Sequence, residues 1–240
     1  EESCWFGVSY IGSRSALGVL PEGALETATR MDDGVTLAEH MRRCGGDPDR
    51  VANGPAHLDV RRIDAFLEPH IEQGPVLVEE GYPVGVVTGI RGNRRFPKAR
   101  CIGAYAHCGG APRRVRQDAV VAASAFVQAL DRLWDEAEAQ GEDFACTVGK
   151  FQTDFERHAM TVIAGEVAFT LDMRSVDPAM LERLERRVPE IAAEIGEARG
   201  VAFDLGPITR AAPGVMDQGL IATYRKAAGA MGVRAMDIAS

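Results

Sequence analysis

The sequence predicts an α/β fold in two parts, and three observations carry the prediction. Residues 94–205 alternate strand-like runs with two long amphipathic stretches in the order β-α-β-β-α-β, the split βαβ or ferredoxin-like unit. Ahead of them, short helices and turns fill the first sixty residues and lead to Pro69–His70–Ile71–Glu72–Gln73–Gly74–Pro75 and an apolar run ending at Ile90. Behind them, Pro207 and Pro213 mark an exit, and residues 218–229 read as a helix returning to the first part. An α/β domain split around an inserted βαββαβ unit is the expected architecture, with boundaries at 1–91, 92–206 and 207–240.

The elements follow in order. Residues 13–18 initiate a short helix, and 21–25 form another short helix or turn. Residues 36–44 are an amphipathic helix capped by Thr36, with Glu39 completing a capping box and Gly45–Gly46 ending it. His40, among polar neighbours on that helix, reads as a solvated surface residue. Residues 61–68 are expected to be the strand that carries His70. In the insert, 94–107 is strand-like and 117–140 is a helix with Val120, Val121, Ala125, Val127, Leu130, Leu133 and Trp134 on its apolar stripe. Strands follow at 145–154 and 160–174. Asp177–Pro178 opens the second helix, with Leu181, Leu184, Val188, Ile191 and Ile195 on one face, Gly200 at its end, and a closing strand at 201–205.

Composition narrows the classes. The chain has 240 residues, 46% hydrophobic and 26% charged, with formal net charge -8, an ordinary globular balance. An acidic chain is a poor nucleic-acid partner. No apolar run approaches the roughly 20 residues of a membrane span, and Glu1–Glu2–Ser3–Cys4–Trp5 is not a signal peptide. Five Cys without CxxC spacing suit a reducing cytoplasm rather than a disulfide framework. Cys101 and Cys108 read as small apolar residues rather than nucleophiles.

Two motifs carry chemistry. His70 stands beside a carboxylate and an amide on a Gly-Pro turn, a common mount for a metal ligand, although a lone His is more often a satisfied one. Glu1–Glu2 can divide cation binding and proton transfer between them; a solvated acidic terminus is the plainer reading. These residues, with Phe6–Gly7, Ile11–Gly12–Ser13–Arg14, residues 33–39, Val87–Thr88–Gly89–Ile90–Arg91–Gly92 and Phe169–Thr170–Leu171–Asp172–Met173–Arg174, appear in the order of one family. The chain resembles the dinuclear-zinc amidohydrolases that include N-carbamoyl-L-amino-acid hydrolase, allantoate amidohydrolase and β-ureidopropionase, the hydantoinase/carbamoylase family of the zinc peptidase clan.

The resemblance implies a split zinc-peptidase-like α/β catalytic domain with an inserted ferredoxin-like lid and dimerisation domain. It implies a hydrolase of a linear C–N amide or ureido bond, in an N-carbamoyl-amino acid or an allantoate-like substrate, acting through a two-metal bridging hydroxide. By that likeness Glu2 and His70 are metal ligands, Glu1 is the general base, and Gln73 hydrogen-bonds the substrate. His107 is the oxyanion donor that reaches the partner subunit's site, and Arg174 pairs with the substrate carboxylate. The cofactors implied are two divalent ions, zinc, with manganese or cobalt as alternatives. The partners implied are a small carboxylate substrate and a second copy joined through the lid domain. The family's first and last ligand motifs are expected outside 1–240, so the sequence is expected to be part of a longer protein, inactive alone. Two departures stand out: Thr161–Val162–Ile163–Ala164–Gly165 replaces a substrate-contacting Asn by Thr161, and Gly110–Ala111–Pro112–Arg113–Arg114 replaces a Thr-Thr-Pro-like loop. A peptidase or deacylase of the same clan, or a non-catalytic dimerisation module, are the alternatives.

Overall fold

Short polar caps, more than long apolar faces, shape the N-terminal part of the chain. The computed structural model describes residues 5–240, which fall into two compact units, one ending at Ile71 and the other running Glu72–Ser240. The first contains α1 (Ile11–Leu17), α2 (Ala24–Thr27), α3 (Leu37–Arg43) and α4 (Pro48–Asn53). The Thr36 hydroxyl accepts from the Glu39 amide at 3.3 Å, and the Asp47 carboxylate accepts from the Arg50 amide at 3.0 Å, each satisfying a free N–H at a helix start. The Glu39 carboxylate turns the other way, to Arg43 at 3.2 Å. Among the described residues, Leu25, Leu37 and Ala38 form the buried cluster here, with Phe6, Ile11, Leu20, Ala28, Met41 and Val51 around them. His40 is half-buried rather than solvated. Its Nε2 lies 3.1 Å from Asp33, and its ring meets Phe6 edge-on at 5.5 Å.

The strand expected at 61–68 is not formed. Asp59 accepts from the Arg61 amide at 3.0 Å and grips its guanidinium, closing a 3-10 turn at Val60–Arg62. Beyond that turn the backbone is irregular through residue 75. A strand exists only as part of a ladder, and no described strand pairs with this segment. Ile63, Phe66, Leu67 and Ile71 are accordingly exposed.

The second unit opens with α5 (Val76–Glu79), β1 (Val84–Ile90), β2 (Gly92–Ile102) and β3 (Ala106–His107). There follow α6 (Ala119–Ala139), β4 (Ala145–Thr153), β5 (Val162–Ile163), β6 (Glu166–Ser175), α7 (Pro178–Arg199) and β7 (Ala202–Asp204). The chain ends with β8 (Thr209–Ala211), β9 (Gly214–Val215), α8 (Gln218–Ala230) and β10 (Ala235–Ala239). Two sheets organise it. In one, β1 pairs in parallel with β10 and antiparallel with β9. The other is antiparallel, in the order β4-β6-β2-β7, with β8 also on β2. Renumbered within the insert, that order is 2-3-1-4, the expected ferredoxin-like arrangement.

Strand alternation sets the layers. Along β6, Val167, Phe169, Leu171, Met173 and Ser175 are buried, while Glu166, Thr170, Asp172 and Arg174 stand on the opposite, open face. α6 and α7 cover the buried face. On α7 the expected residues Leu181, Leu184, Val188 and Ile191 are all buried. On α6 the buried face is Ala119, Ala122, Ala123, Phe126, Leu130 and Ala137. Of the expected stripe, Leu130 lies in that core and Val120, Leu133 and Trp134 pack against it, whereas Val121 is 43% exposed and alanines take the most buried places. Arg91, between β1 and β2, holds Asp143 in a two-toothed ion pair (2.6–3.1 Å), and Asp143 also accepts from the Val176 amide at 2.7 Å. This node ties the passage between the two sheets to the ends of β4 and β6.

Candidate active site

Glu1 and Glu2 lie outside the described residues. His70 sits on the irregular segment, exposed, with Nδ1 2.5 Å from the Ile71 carbonyl oxygen. A proton on Nδ1 donated to that carbonyl leaves the Nε2 lone pair facing outward, the tautomer a ligand needs. In the second unit, the Glu72 carboxylate spans the start of α5, accepting from the Val76 amide at 2.8 Å and the Leu77 amide at 3.1 Å. Gln73 follows at φ 58, a left-handed backbone uncommon outside glycine, and its side chain is exposed. Among the described residues no three His, Cys, Asp or Glu side chains gather as a metal site. Zinc centres use three or four protein ligands, so the described residues do not by themselves fit a metal ion.

His107 stands at the end of β3. β3 pairs antiparallel with β5, setting His107 opposite Val162, and the Cys108 amide donates to the Thr161 carbonyl at 2.9 Å. The structure thus brings His107 and Thr161 together on one two-stranded ribbon. The Gly109 amide donates to His107 Nδ1 at 3.1 Å. An occupied Nδ1 lone pair places the neutral ring's proton on Nε2, making that edge a donor. The loop beyond is locked by Arg116, whose guanidinium donates to the carbonyls of Cys108 at 2.6 Å and Ala111 at 2.8 Å. Nothing local in the sequence marks Arg116 for this task, because its acceptors lie five and eight positions back.

Arg174 stands elsewhere, on the open face at the far end of β6. Its guanidinium meets Asp172 through Nε at 3.3 Å and Nη2 at 2.9 Å, and Arg95 approaches the same carboxylate at 3.0 Å. Glu166 and Arg174 are separated by eight strand steps, about 27 Å at ~3.4 Å per residue, and the His107 ribbon adjoins the Glu166 end. Within one chain, therefore, His107 and Thr161 do not share a pocket with Arg174. Cys101 and Cys146 carry no reactive thiol. Burial pushes each up to about 12, so the thiolate is absent near neutrality.

Residues 90–199 match the peptidase dimerisation domain, the segment from the end of β1 through α7. An N-carbamoyl-L-amino acid amidohydrolase of Geobacillus stearothermophilus is 34% identical over 89% of this chain and 49% of its own length. A probable allantoate deiminase of Oryza sativa subsp. japonica is 32% identical over 77% of this chain and 39% of its own. The crystal structure of a hydantoinase/carbamoylase family amidase from Burkholderia multivorans superposes with a TM-score of 0.83 at 29% identity, covering the whole chain and 55% of that protein. The chain spans about half the length of the relatives it matches. On these matches in sequence and in fold, the chain belongs to the hydantoinase/carbamoylase family of amidases.

Proposed function

We propose that the complete protein hydrolyses a linear C–N amide or ureido bond in a small carboxylate-bearing substrate, an N-carbamoyl-amino acid or an allantoate-like compound. The observation that carries the reading is His107, held by Gly109 so that its exposed Nε2 carries a proton on a chain otherwise similar to carbamoyl hydrolases. A fixed donor aimed at the charge that develops on a reacting carbonyl oxygen lowers the barrier by roughly 3 kcal/mol. Arg174 takes the substrate carboxylate, since a planar fork suits that group better than an ammonium. Gln73 and Thr161 contact the substrate, Thr161 through its hydroxyl.

Glu2 and His70 supply part of the ligand set for two divalent ions, zinc, manganese or cobalt, and Glu1 acts as the general base. When bound, such ions provide Lewis acidity and a ready nucleophile near neutral pH. The domain plan is 1–91 and 207–240 for the catalytic part and 92–206 for the lid. The match at 90–199 to a peptidase dimerisation domain supports a homodimer. So does the separation of His107 from Arg174, since a site needing both is completed by two copies. The described cysteines (Cys44, Cys101, Cys108, Cys146) are all free, which suits a reducing cytoplasm, and no helix of the described residues is long and apolar enough to cross a membrane.

The test is direct. The full-length protein, loaded in turn with zinc, manganese and cobalt, is offered a panel of N-carbamoyl-amino acids, allantoate and small peptides. Ammonia release from the ureido compounds is expected. Release of amino acids from the peptides alone selects a peptidase, and no turnover at all leaves a dimerisation module.

A further inference from the structure

We propose that Asp172 is the positioning residue of the carboxylate clamp, steering Arg174 toward the substrate, and that Arg95 is the cation that keeps the clamp attractive to an anion. The inference rests on the reading of Arg174 as the carboxylate partner. All three side chains share the open face of the sheet. Arg95 and Asp172 stand directly opposite on β2 and β6, and Arg174 follows two residues on, opposite Asn93.

The geometry divides the Arg174 guanidinium into two edges. Its Nε and Nη2 are turned toward Asp172 (3.3 and 2.9 Å). A guanidinium has five N–H groups in a fixed plane, so the outer edge, Nη1 with the second Nη2 hydrogen, remains available as a fork for a carboxylate. The Arg174 side chain is 49% exposed and the Asp172 side chain 25%, which puts the free edge toward solvent and the held edge inward. Asp172 alone would cancel Arg174 and leave nothing to attract an anion. Arg95, with Nε 3.0 Å from the same carboxylate, restores one net positive charge to the trio. One carboxylate neutralises it, so the arrangement favours a monoanionic substrate.

Two opposed effects make the proposal decidable. If Asp172 merely lowers the local charge, Asp172→Asn strengthens binding of an anion. If it aims Arg174, the same change weakens it. The experiment uses the full-length protein with N-carbamoyl-leucine and its uncharged counterpart N-carbamoyl-leucinamide, reading kcat and KM by ammonia release and Kd by calorimetry. Asp172→Asn is expected to raise KM and Kd for the acid about tenfold, the scale of one charge-assisted hydrogen bond, with kcat within about twofold and the amide unaffected. Arg95→Gln is expected to do the same by a smaller factor, and Asp172→Glu to recover part of the loss. Tighter acid binding in Asp172→Asn, an equal loss for acid and amide, or no change overturns the proposal. Arg174→Gln separates the two levels: if it leaves the preference for acid over amide intact, the assignment of Arg174 itself falls. If the wild-type protein cleaves allantoate but not N-carbamoyl-leucine, allantoate and its amide take their places in the same comparison; if it cleaves no ureido compound of the panel, the functional reading falls with the proposal.

Discussion

The insert and the N-terminal unit use the same alphabet to opposite effect. Among the described residues, nineteen buried side chains make one core between the insert's four strands and α6 and α7, whereas three make the corresponding cluster of the N-terminal unit. The contrast reaches the site residues. His107 and Arg174 each stand on a strand and are oriented by a hydrogen-bond partner, the Gly109 amide and the Asp172 carboxylate, while His70 stands exposed on irregular chain with its neighbour's carbonyl at hand. Side chains that must hold an exact geometry are best mounted on a scaffold that is already packed, and here the insert is that scaffold.

The largest expected effect tests the contrast in packing. Leu184→Ala, at a fully buried position on α7, is expected to cost about 3–4 kcal/mol in urea unfolding. Phe66→Ala, 78% exposed in the N-terminal unit, is expected to stay within about 0.5 kcal/mol in this chain. A loss at Phe66 matching that at Leu184 breaks the comparison. Next comes chemistry without stability. In the full-length protein His107→Ala is expected to lower kcat by roughly a hundredfold, or about 3 kcal/mol, with the unfolding midpoint scarcely moved, because the ring is exposed.

Helix caps give a smaller and more even comparison. Asp177 accepts from the Ala179 amide at 2.9 Å at the start of α7, and Thr36 accepts at 3.3 Å at the start of α3. Replacing either by Ala is expected to cost about 1 kcal/mol, read by thermal unfolding. Loss at Asp177 reports on the whole insert, and loss at Thr36 on the N-terminal unit alone.

Acidification gives the smallest effect. Hydrogen bonds from Arg210, then Arg94, hold the Glu185 carboxyl below its ordinary 4.5, and Arg100 with the Gly206 amide holds Asp204 below 3.8. Arg183 and Arg187 do the same for Glu142 and Glu194. A carboxyl depressed in the folded state contributes fully above its unfolded value and loses that contribution as pH falls through the folded one. The insert, with four such groups, is expected to lose stability below about pH 4. The N-terminal unit holds Asp33 and Asp59 the same way, and is expected to lose less. A circular-dichroism titration in which the insert is indifferent to acid would contradict this. The exposure of these groups makes high salt shrink the difference.

How far the sequence could be read follows from how local each signal is. The caps at Thr36 and Asp177–Pro178 and the terminating Gly200 are written within a few residues, and each is found where expected; the strand expected at 160–174 is broken into β5 and β6. The two-residue strands β3 and β5, the edge pieces β8 and β9, and β10 beside β1 carry too little pattern to be seen alone and exist through their partners. Arg116 could not be recognised in advance, because its acceptors, the Cys108 and Ala111 carbonyls, come within reach only once the loop has folded.

The order of motifs by itself fixed the fold class, the βαββαβ insert and the family, because hydrophobic period and turn chemistry are properties of neighbouring residues. Tertiary structure decided the rest. It turned α6 onto its alanine face, left 61–68 without a ladder, fixed the proton on His107 and parted that ring from Arg174 by the length of a strand. Each of these depends on which distant groups arrive beside a residue, and hydrogen bonds and close packing act only between groups that meet.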